Sequence, residues 1–152
     1  MENSFKVHTV AEAVRAIESG RRVVFGHAAG CPKVVPAEMV AQKDRLSDVW
    51  IYHMLTLNNG EYLTPEMEGH FRHVTNFAGA NSRQAVAEGR ADFLPAFFYE
   101  VPSLFEKVFP VDVAVIQVSR PDDAGYCSFG LSCDYTKAAA EKAKVVIAEM
   151  NE

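Results

Sequence analysis

Histidine, glutamate and arginine side chains provide the few candidates for chemistry in this sequence. His27 lies among small residues in GHAAG, where it could donate a hydrogen bond to a substrate carbonyl or satisfy a backbone group of its own loop. Glu100 lies beside aromatic residues in FFYEVP, an apolar setting that would suit an acid or a nucleophile, although a hydrogen-bonded carboxylate at a strand end is the simpler explanation. Arg83 and Arg90 could clamp a carboxylate or phosphate, but each falls in or beside a predicted helix, where solvated charge is ordinary. These candidates alone assign no catalytic residue.

The sequence lacks complete motifs for several common chemistries. The phosphate-binding pattern GxxxxGK[ST], the serine-hydrolase pattern GxSxG and the dinucleotide pattern GxGxxG are all absent. His70 and His73 would face the same way on a helix but opposite ways on a strand, and the sequence offers no third ligand nearby. We therefore predict neither a metal site nor a bound cofactor.

Composition and charge limit the class of protein. Of the 152 residues, 49% are hydrophobic, which indicates one globular domain with a sizeable core. The formal net charge is -5 and the basic residues are scattered, so we predict no nucleic-acid partner. No apolar run is long enough to span a membrane, and the first ten residues lack the basic and apolar regions of a signal peptide. We therefore predict a cytoplasmic protein without membrane contact.

The three cysteines indicate a reducing compartment. Cys31, Cys127 and Cys133 are odd in number, and their spacing fits neither a zinc site nor a disulfide framework. We predict free thiols that fill the core.

Short β-branched runs alternate with helical patterns along the chain. Thr9 can cap a helix of about three turns over residues 10–17. The run Arg22–Phe25 predicts a strand, which leads through the small residues of GHAAG into a helix with Pro36 in its first turn. The other predicted elements are strands over 48–57, 71–77 and 91–98, the last broken by Pro95, and helices that begin at 81 or 82 and around 103.

The stretch over 111–135 joins the most strand-like run to a loop of turn-forming residues. Its start, VDVAVIQVS, is almost continuously apolar, which is typical of a strand covered on both faces inside an α/β sheet. If a ligand sits where such a strand ends, the rim of its crevice comprises Ser119, Gly125, Tyr126 and Ser128. From this stretch alone, a plain hairpin explains the pattern more simply.

The last residues allow two interpretations. Residues 136–143 are alanine-rich and helical, whereas 144–150 are β-branched, so we predict a helix followed by a strand. The alternative is one helix over 137–150, because its apolar residues also keep helical spacing.

Four stretches carry a resemblance to a known family. They are GHAAGCP, VWIYHML, FRHVTNFAGANSRQAVAEGRADFLPAFFYEVPSLF and DVAVIQVSRPDDAGYCSFGLSCDYTK. Together they resemble the amino-terminal half of the acetyl-CoA hydrolase/transferase family, most closely its 4-hydroxybutyrate CoA-transferase and butyryl-CoA:acetate CoA-transferase branch. The likeness covers nearly the whole chain.

This resemblance implies a fold and a reaction. Members have two related α/β domains of the class I CoA-transferase fold, each a mostly parallel sheet with flanking helices, and acyl-CoA binds in the cleft between them. A glutamate of the second domain attacks the thioester, and glycine-rich backbone of that domain stabilises the tetrahedral intermediates. Neither element maps onto these residues. The resemblance therefore implies that residues 1–152 are an amino-terminal domain, truncated before the catalytic domain and inactive alone.

The same resemblance implies which residues line the near wall of the cleft. Small residues there would let an acyl chain or pantetheine arm approach the backbone, although tight packing between loops would also explain them. The expected substrate-binding residues are Gly26, His27, Ala28, Ala29, Gly30, Asn76, Gly79, Asn81, Phe98, Glu100 and Pro102. None of them is expected to be catalytic.

Two functional hypotheses follow. In the first, the chain is part of a CoA-transferase whose partners are an acyl-CoA, a small carboxylate and the missing domain, with homo-oligomers possible. In the second, it is a stand-alone, non-catalytic binding module with the same fold. The first predicts an exposed apolar patch where the second domain docks, and the alternative predicts a polar surface there.

Overall fold

The computed structural model describes residues 6–151, which form one sheet of six strands flanked by helices. Every pair of neighbouring strands is parallel, and the order across the sheet is β4-β3-β2-β1-β5-β6. The strands are β1 (Arg22–Phe25), β2 (Val49–Tyr52), β3 (Phe71–Thr75), β4 (Ala91–Phe93), β5 (Val113–Ser119) and β6 (Val145–Asn151). The predicted α/β class with a mostly parallel sheet is confirmed.

The helices cover both faces of this sheet. They are α1 (Val10–Ala13), α2 (Val34–Ala41), α3 (Arg83–Ala87), α4 (Val101–Lys107) and α5 (Asp134–Lys142). One core lies under α1, α2 and α3, where Met39 and Ala85 pack with strand residues such as Val115. A second core lies under α4 and α5, where Phe105 packs with strand residues such as Ala114. Successive strand residues point to opposite faces, so β1, β2, β3 and β5 contribute to both cores, whereas β4 and β6 contribute only to the first.

The apolar run in β5 forms an interior strand. Its residues Val113, Ala114, Val115 and Ile116 are all at most 5% exposed, because β1 and β6 flank the strand and helices cover both of its faces. The strand prediction for this run is confirmed. The chain then folds back, with the amide of Ser119 donating to the carbonyl of Ser128 at 2.9 Å, and enters α5 without a returning strand, so the hairpin interpretation holds for the turn alone.

The last described residues form a strand. β6 pairs with β5 along its full length, from Val113 opposite Val145 to Ser119 opposite Asn151. The predicted helix and strand are confirmed, and the single helix over 137–150 is wrong. Pairing with β5 favours the strand, because it satisfies the backbone groups of alternate residues along this run.

Several predicted elements are shorter than expected. The strand predicted over 71–77 ends at Thr75, and the strand predicted over 91–98 ends at Phe93. Thr9 caps α1 as predicted, and Glu12 completes a capping box with it. A 3-10 turn then follows α1, and both Val14 and Ile17 lie in the core. β2 ends at Tyr52. Beyond it, the amide of Met54 donates to the hydroxyl of Tyr135 at 3.3 Å and not to a neighbouring strand.

The cysteines are free thiols, but only Cys31 fills the core. Cys127 and Cys133 are exposed in the loop before α5, so the prediction that all three are core residues is wrong for these two. Within residues 6–151, none of the helices is both long and apolar enough to cross a membrane.

Candidate functional site

The carboxyl ends of all six strands lie along one edge of the sheet, because the strands are parallel. From β1 the chain proceeds to β2, β3 and β4 on one side, whereas β5 and β6 lie on the other. The loops after β1 and β5 therefore diverge at the boundary between these two strands. Such a topological switch point is where open α/β sheets commonly bind ligands.

The loop after β1 is closed tightly by its small residues. The amide of Gly26 donates to the carbonyl of Val115 at 2.9 Å, and a Cβ at Gly26 would lie 2.7 Å from the carbonyl oxygen of Gly30. A Cβ at Gly30 would lie 3.2 Å from Cβ of Ser132. These two glycines thus serve loop packing. Ala28 has a φ of 51°, a left-handed conformation that is costly for a residue with a side chain.

His27 is buried at the switch point and paired with a carboxylate. Its Nε2 lies 2.8 Å from Oδ2 of Asp134, and its ring stacks on Tyr135 with centroids 4.7 Å apart. Because the carboxylate accepts, Nε2 carries a proton. Nδ1 is buried without a hydrogen-bond partner. The sequence suggested a backbone partner or a substrate for His27, and the structure gives Nε2 a side-chain partner and leaves the buried Nδ1 without one.

Asp134 and Tyr135 are the residues that sequence reasoning missed. Tyr135 is 1% exposed, and its hydroxyl donates to the carbonyl of Phe25 at 2.8 Å and accepts from the amide of Met54. It therefore joins the ends of β1 and β2 beneath His27. The only signal was DYTK at the start of a helix, where an acidic residue is common for reasons of helix electrostatics.

The predicted residues after β3 brace neighbouring loops. Oδ1 of Asn76 accepts from the hydroxyl of Tyr52 at 2.7 Å, and Nδ2 of Asn81 donates to the carbonyl of Asn58 at 2.8 Å. The carbonyl of Gly79 accepts from the first turn of α3. The structure gives these three residues a role in loop packing, and their contact with substrate stays a prediction.

Of the three predicted residues after β4, one reaches His27. The ring of Phe98 is 54% exposed, and its edge faces His27 with centroids 6.2 Å apart. Glu100 accepts a hydrogen bond from the amide of Phe97 at 2.9 Å, as the simpler explanation expected, but it lies in a 3-10 turn before α4 and not at a strand end. Pro102 lies in the first turn of α4.

A cavity of about 240 Å³ opens beside the loop after β1. It is lined by Ala29, Gln117, Val118, Ser119, Ser128, Phe129, Gly130, Leu131 and Asn151. Two of the four predicted rim residues, Ser119 and Ser128, contribute to this lining, and the amide of Ser128 donates to the hydroxyl of Ser119 at 2.9 Å. Gly125 and Tyr126 are exposed in the turn beyond. The lining is neutral and offers hydroxyl and amide groups to a ligand.

A buried group of polar side chains lies behind the same loop. Nδ1 of His53 lies 2.7 Å from the hydroxyl of Tyr62, and Nε2 lies 3.5 Å from Sγ of Cys31. Burial lowers the pKa of His53 well below its usual range and raises the pKa of the Cys31 thiol. The pair is therefore a neutral imidazole and a thiol, without the thiolate that a cysteine nucleophile needs.

The remaining candidates from the sequence are engaged elsewhere or isolated. Arg90 pairs with Glu88 and donates to the carbonyl of Leu63, and Arg83 is exposed on α3. Nδ1 of His70 donates to the carbonyl of Leu46 at 2.7 Å, whereas His73 is buried beside the ring of Tyr62 with no hydrogen-bond partner. Over the range the structure covers, no group of three or more histidine, cysteine or acidic side chains could hold a metal ion.

Comparison with known proteins identifies related chains. Residues 2–152 match the family described as acetyl-CoA hydrolase/transferase N-terminal domain. The chain is 55% identical to 4-hydroxybutyrate coenzyme A transferase of Clostridium kluyveri, over 96% of this chain and 34% of that protein. It is 37% identical to the succinyl-CoA:acetate/propanoyl-CoA:succinate CoA transferase of Fasciola hepatica, over 90% of this chain and 29% of that protein.

A solved structure shows the same fold. The crystal structure of 4-hydroxybutyrate CoA-transferase from Porphyromonas gingivalis superposes with a TM-score of 0.78 at 41% identity, covering 95% of this chain and 33% of that one. The chain thus spans about a third of the length of the relatives it matches.

Proposed function

Because the chain belongs to the acetyl-CoA hydrolase/transferase family through that family's amino-terminal domain, we propose that it forms one wall of the acyl-CoA cleft of a CoA-transferase. The reaction moves CoA from an acyl-CoA to a short-chain carboxylate of the 4-hydroxybutyrate, butyrate or acetate type. The thioester of the donor is broken and a thioester of the acceptor is formed, so no oxidant, metal or other cofactor is needed. A cytoplasmic location accords with this chemistry and stays a prediction.

The arrangement at the β1/β5 switch point is the observation that carries this proposal. His27, Phe98 and the cavity beside Ala29 lie along the carboxyl edge of the sheet, where an open α/β fold binds its ligand. The cavity lining presents neutral donors and acceptors, which suit the amide groups of a pantetheine arm. Nδ1 of His27 is one polar atom at this edge with no partner of its own.

The nucleophile of the proposed reaction belongs to another domain. Covalent catalysis by a carboxylate requires an oxygen that is free to attack. At this edge, Asp134 is bonded to His27 and Glu100 is bonded to the backbone of Phe97. Both carboxylates therefore have structural partners, which supports a second domain as the source of the attacking glutamate.

Exposed aromatic side chains support the two-domain hypothesis over a stand-alone module. Phe97 and Tyr99 stack on each other after β4 with centroids 5.8 Å apart, and they are 70% and 79% exposed. Phe77, after β3, and Phe98 are also more than half exposed. A polar surface was expected of a module, whereas a group of exposed aromatics is typical of a surface that another domain covers.

A chimaera with the Clostridium kluyveri relative tests the proposal. Residues 1–152 would replace the matching amino-terminal third of that protein, and CoA transfer from butyryl-CoA to 4-hydroxybutyrate would be followed by chromatography. We expect the chimaera to transfer CoA. We expect Ala29→Trp, which fills the cavity, to raise KM for the acyl-CoA at least tenfold, and Ala87→Trp, on the exposed side of α3, to leave it unchanged.

The intact relative and its carboxy-terminal two-thirds alone serve as positive and negative controls. A folded chimaera without CoA transfer would overturn the proposal. So would equal kinetics for Ala29→Trp and Ala87→Trp, since the cavity would then lie outside the substrate path.

A further inference from the structure

Glu149 binds the far end of the loop after β1 across 116 positions of sequence. Its Oε1 accepts from the amide of Val35 at 2.7 Å, and its Oε2 accepts from the amide of Lys33 at 2.9 Å. Glu149 stands on β6, opposite Gln117 of β5, on the same face of the sheet as the core residue Ile147. One carboxylate of the last strand thus holds the backbone at the beginning of α2.

This contact replaces a cap that α2 cannot make for itself. The N-cap residue is Lys33, whose side chain has no acceptor, and no side chain of its own caps the helix. Because Pro36 has no amide hydrogen, few amides at this end of the helix can donate. Two of them, those of Lys33 and Val35, donate to Glu149. A carboxylate there also lies at the positive end of the helix dipole.

The loop that precedes α2 needs such an anchor. Ala28 is held in a left-handed conformation, and its amide reaches the carbonyl of Leu55 at 3.2 Å. A backbone conformation of this kind persists only where the surroundings determine it fully. At its start, the loop is hydrogen-bonded to β5 through Gly26. At its far end, it is hydrogen-bonded to β6 through Glu149. Ala29 lies between these two hydrogen-bonded positions and lines the cavity.

We infer that Glu149 is a positioning residue, whose carboxylate sets the loop over 28–33 above the carboxyl ends of β5 and β6 and so shapes the acyl-CoA wall. This inference rests on the proposed function for its kinetic consequence. Its structural consequence can be measured without activity, through the thiol of Cys31. That thiol is 3% exposed and lies in the loop that Glu149 holds.

The first experiment measures labelling of Cys31 by a thiol reagent in a chain whose other cysteines are serine. We expect Glu149→Ala to raise the labelling rate at least tenfold and Glu149→Gln, which retains an acceptor oxygen, to raise it less. Ala85→Gly in α3 lowers helix stability away from the loop and controls for global unfolding, while Glu141→Ala controls for loss of a surface charge. Equal labelling in Glu149→Ala and in either control would overturn the inference.

The second experiment measures kinetics in the chimaera. We expect Glu149→Ala to raise KM for the acyl-CoA about tenfold with kcat within twofold, because the loop is displaced in folded molecules. Partial unfolding would instead lower kcat and leave KM unchanged, and that result would overturn the inference. If the chimaera with Glu149 intact is inactive, the proposed function fails, and the Cys31 labelling decides the inference alone.

Discussion

Replacing Tyr135 by alanine is expected to lower the free energy of unfolding by about 4 kcal/mol. The side chain is 1% exposed and packs against the rings of Tyr52 and Phe105 as well as His27. Its removal leaves a cavity in the core under α4 and α5. It also leaves the carbonyl of Phe25 without the hydrogen bond from this hydroxyl, at the ends of the strands that meet at the site. Urea denaturation followed by circular dichroism measures the change.

Two variants separate packing from hydrogen bonding in this prediction. Tyr135→Phe keeps the ring and should cost about 1–2 kcal/mol, since only the hydroxyl contacts are lost. Tyr126→Ala removes a tyrosine that is 75% exposed and should change stability by less than about 0.5 kcal/mol. If Tyr135→Ala were as stable as Tyr126→Ala, the assigned packing of α5 on the sheet would be wrong.

Acid is expected to destabilise the protein through His73. Burial lowers the pKa of this imidazole to about 4 from an ordinary 6.5, and neither ring nitrogen has a hydrogen-bond partner. Between these two values the unfolded chain binds a proton that the folded protein excludes. Unfolding therefore takes up a proton, and stability falls as pH falls through this window, by about 3 kcal/mol when it is crossed fully. Burial lowers the pKa of His53 as well, so that residue acts in the same direction.

Removing the imidazole should flatten this pH dependence. We expect His73→Phe to lose about 2–3 kcal/mol less than the wild type between pH 7 and pH 4.5, as measured by urea denaturation at each pH. His8→Gln, at an exposed position, is the matched control and should follow the wild-type curve. A His73→Phe curve parallel to the wild-type curve would show that this histidine is not the group responsible.

Much of the fold could be predicted from local pattern because burial on both faces leaves a clear sequence signature. The run in β5 is apolar at nearly every position, and the pattern of β6 differs in β-branching from the alanine-rich helix before it. Boundaries were less predictable where a distant group decides them. β2 ends where the hydroxyl of Tyr135 takes the amide of Met54, across 81 positions of sequence. No local pattern contains that information.

The site was predictable in its location but not in its contacts. Small residues after β1 indicated close approach, yet the sequence could not tell approach by a ligand from approach by Gly30 to Gly26. His27 was identified, but its partner Asp134 lies 107 positions away and resembles an ordinary first-turn acidic residue. Glu149 had no signal at all, because a glutamate near the end of a strand is usually solvated. Residue patterns alone indicated an α/β domain, and the family resemblance was needed to indicate CoA transfer.

Whether the nucleophile lies outside these residues is tested by the rate of CoA exchange that the 152-residue chain catalyses alone. The purified chain would be incubated with butyryl-CoA and 4-hydroxybutyrate, with the intact Clostridium kluyveri relative as the positive control. We expect no exchange above the rate in buffer, because both candidate carboxylates, Asp134 and Glu100, have structural partners. Exchange above that rate would mean that the nucleophile lies within these residues, and its loss in Glu100→Gln would identify Glu100 as that nucleophile.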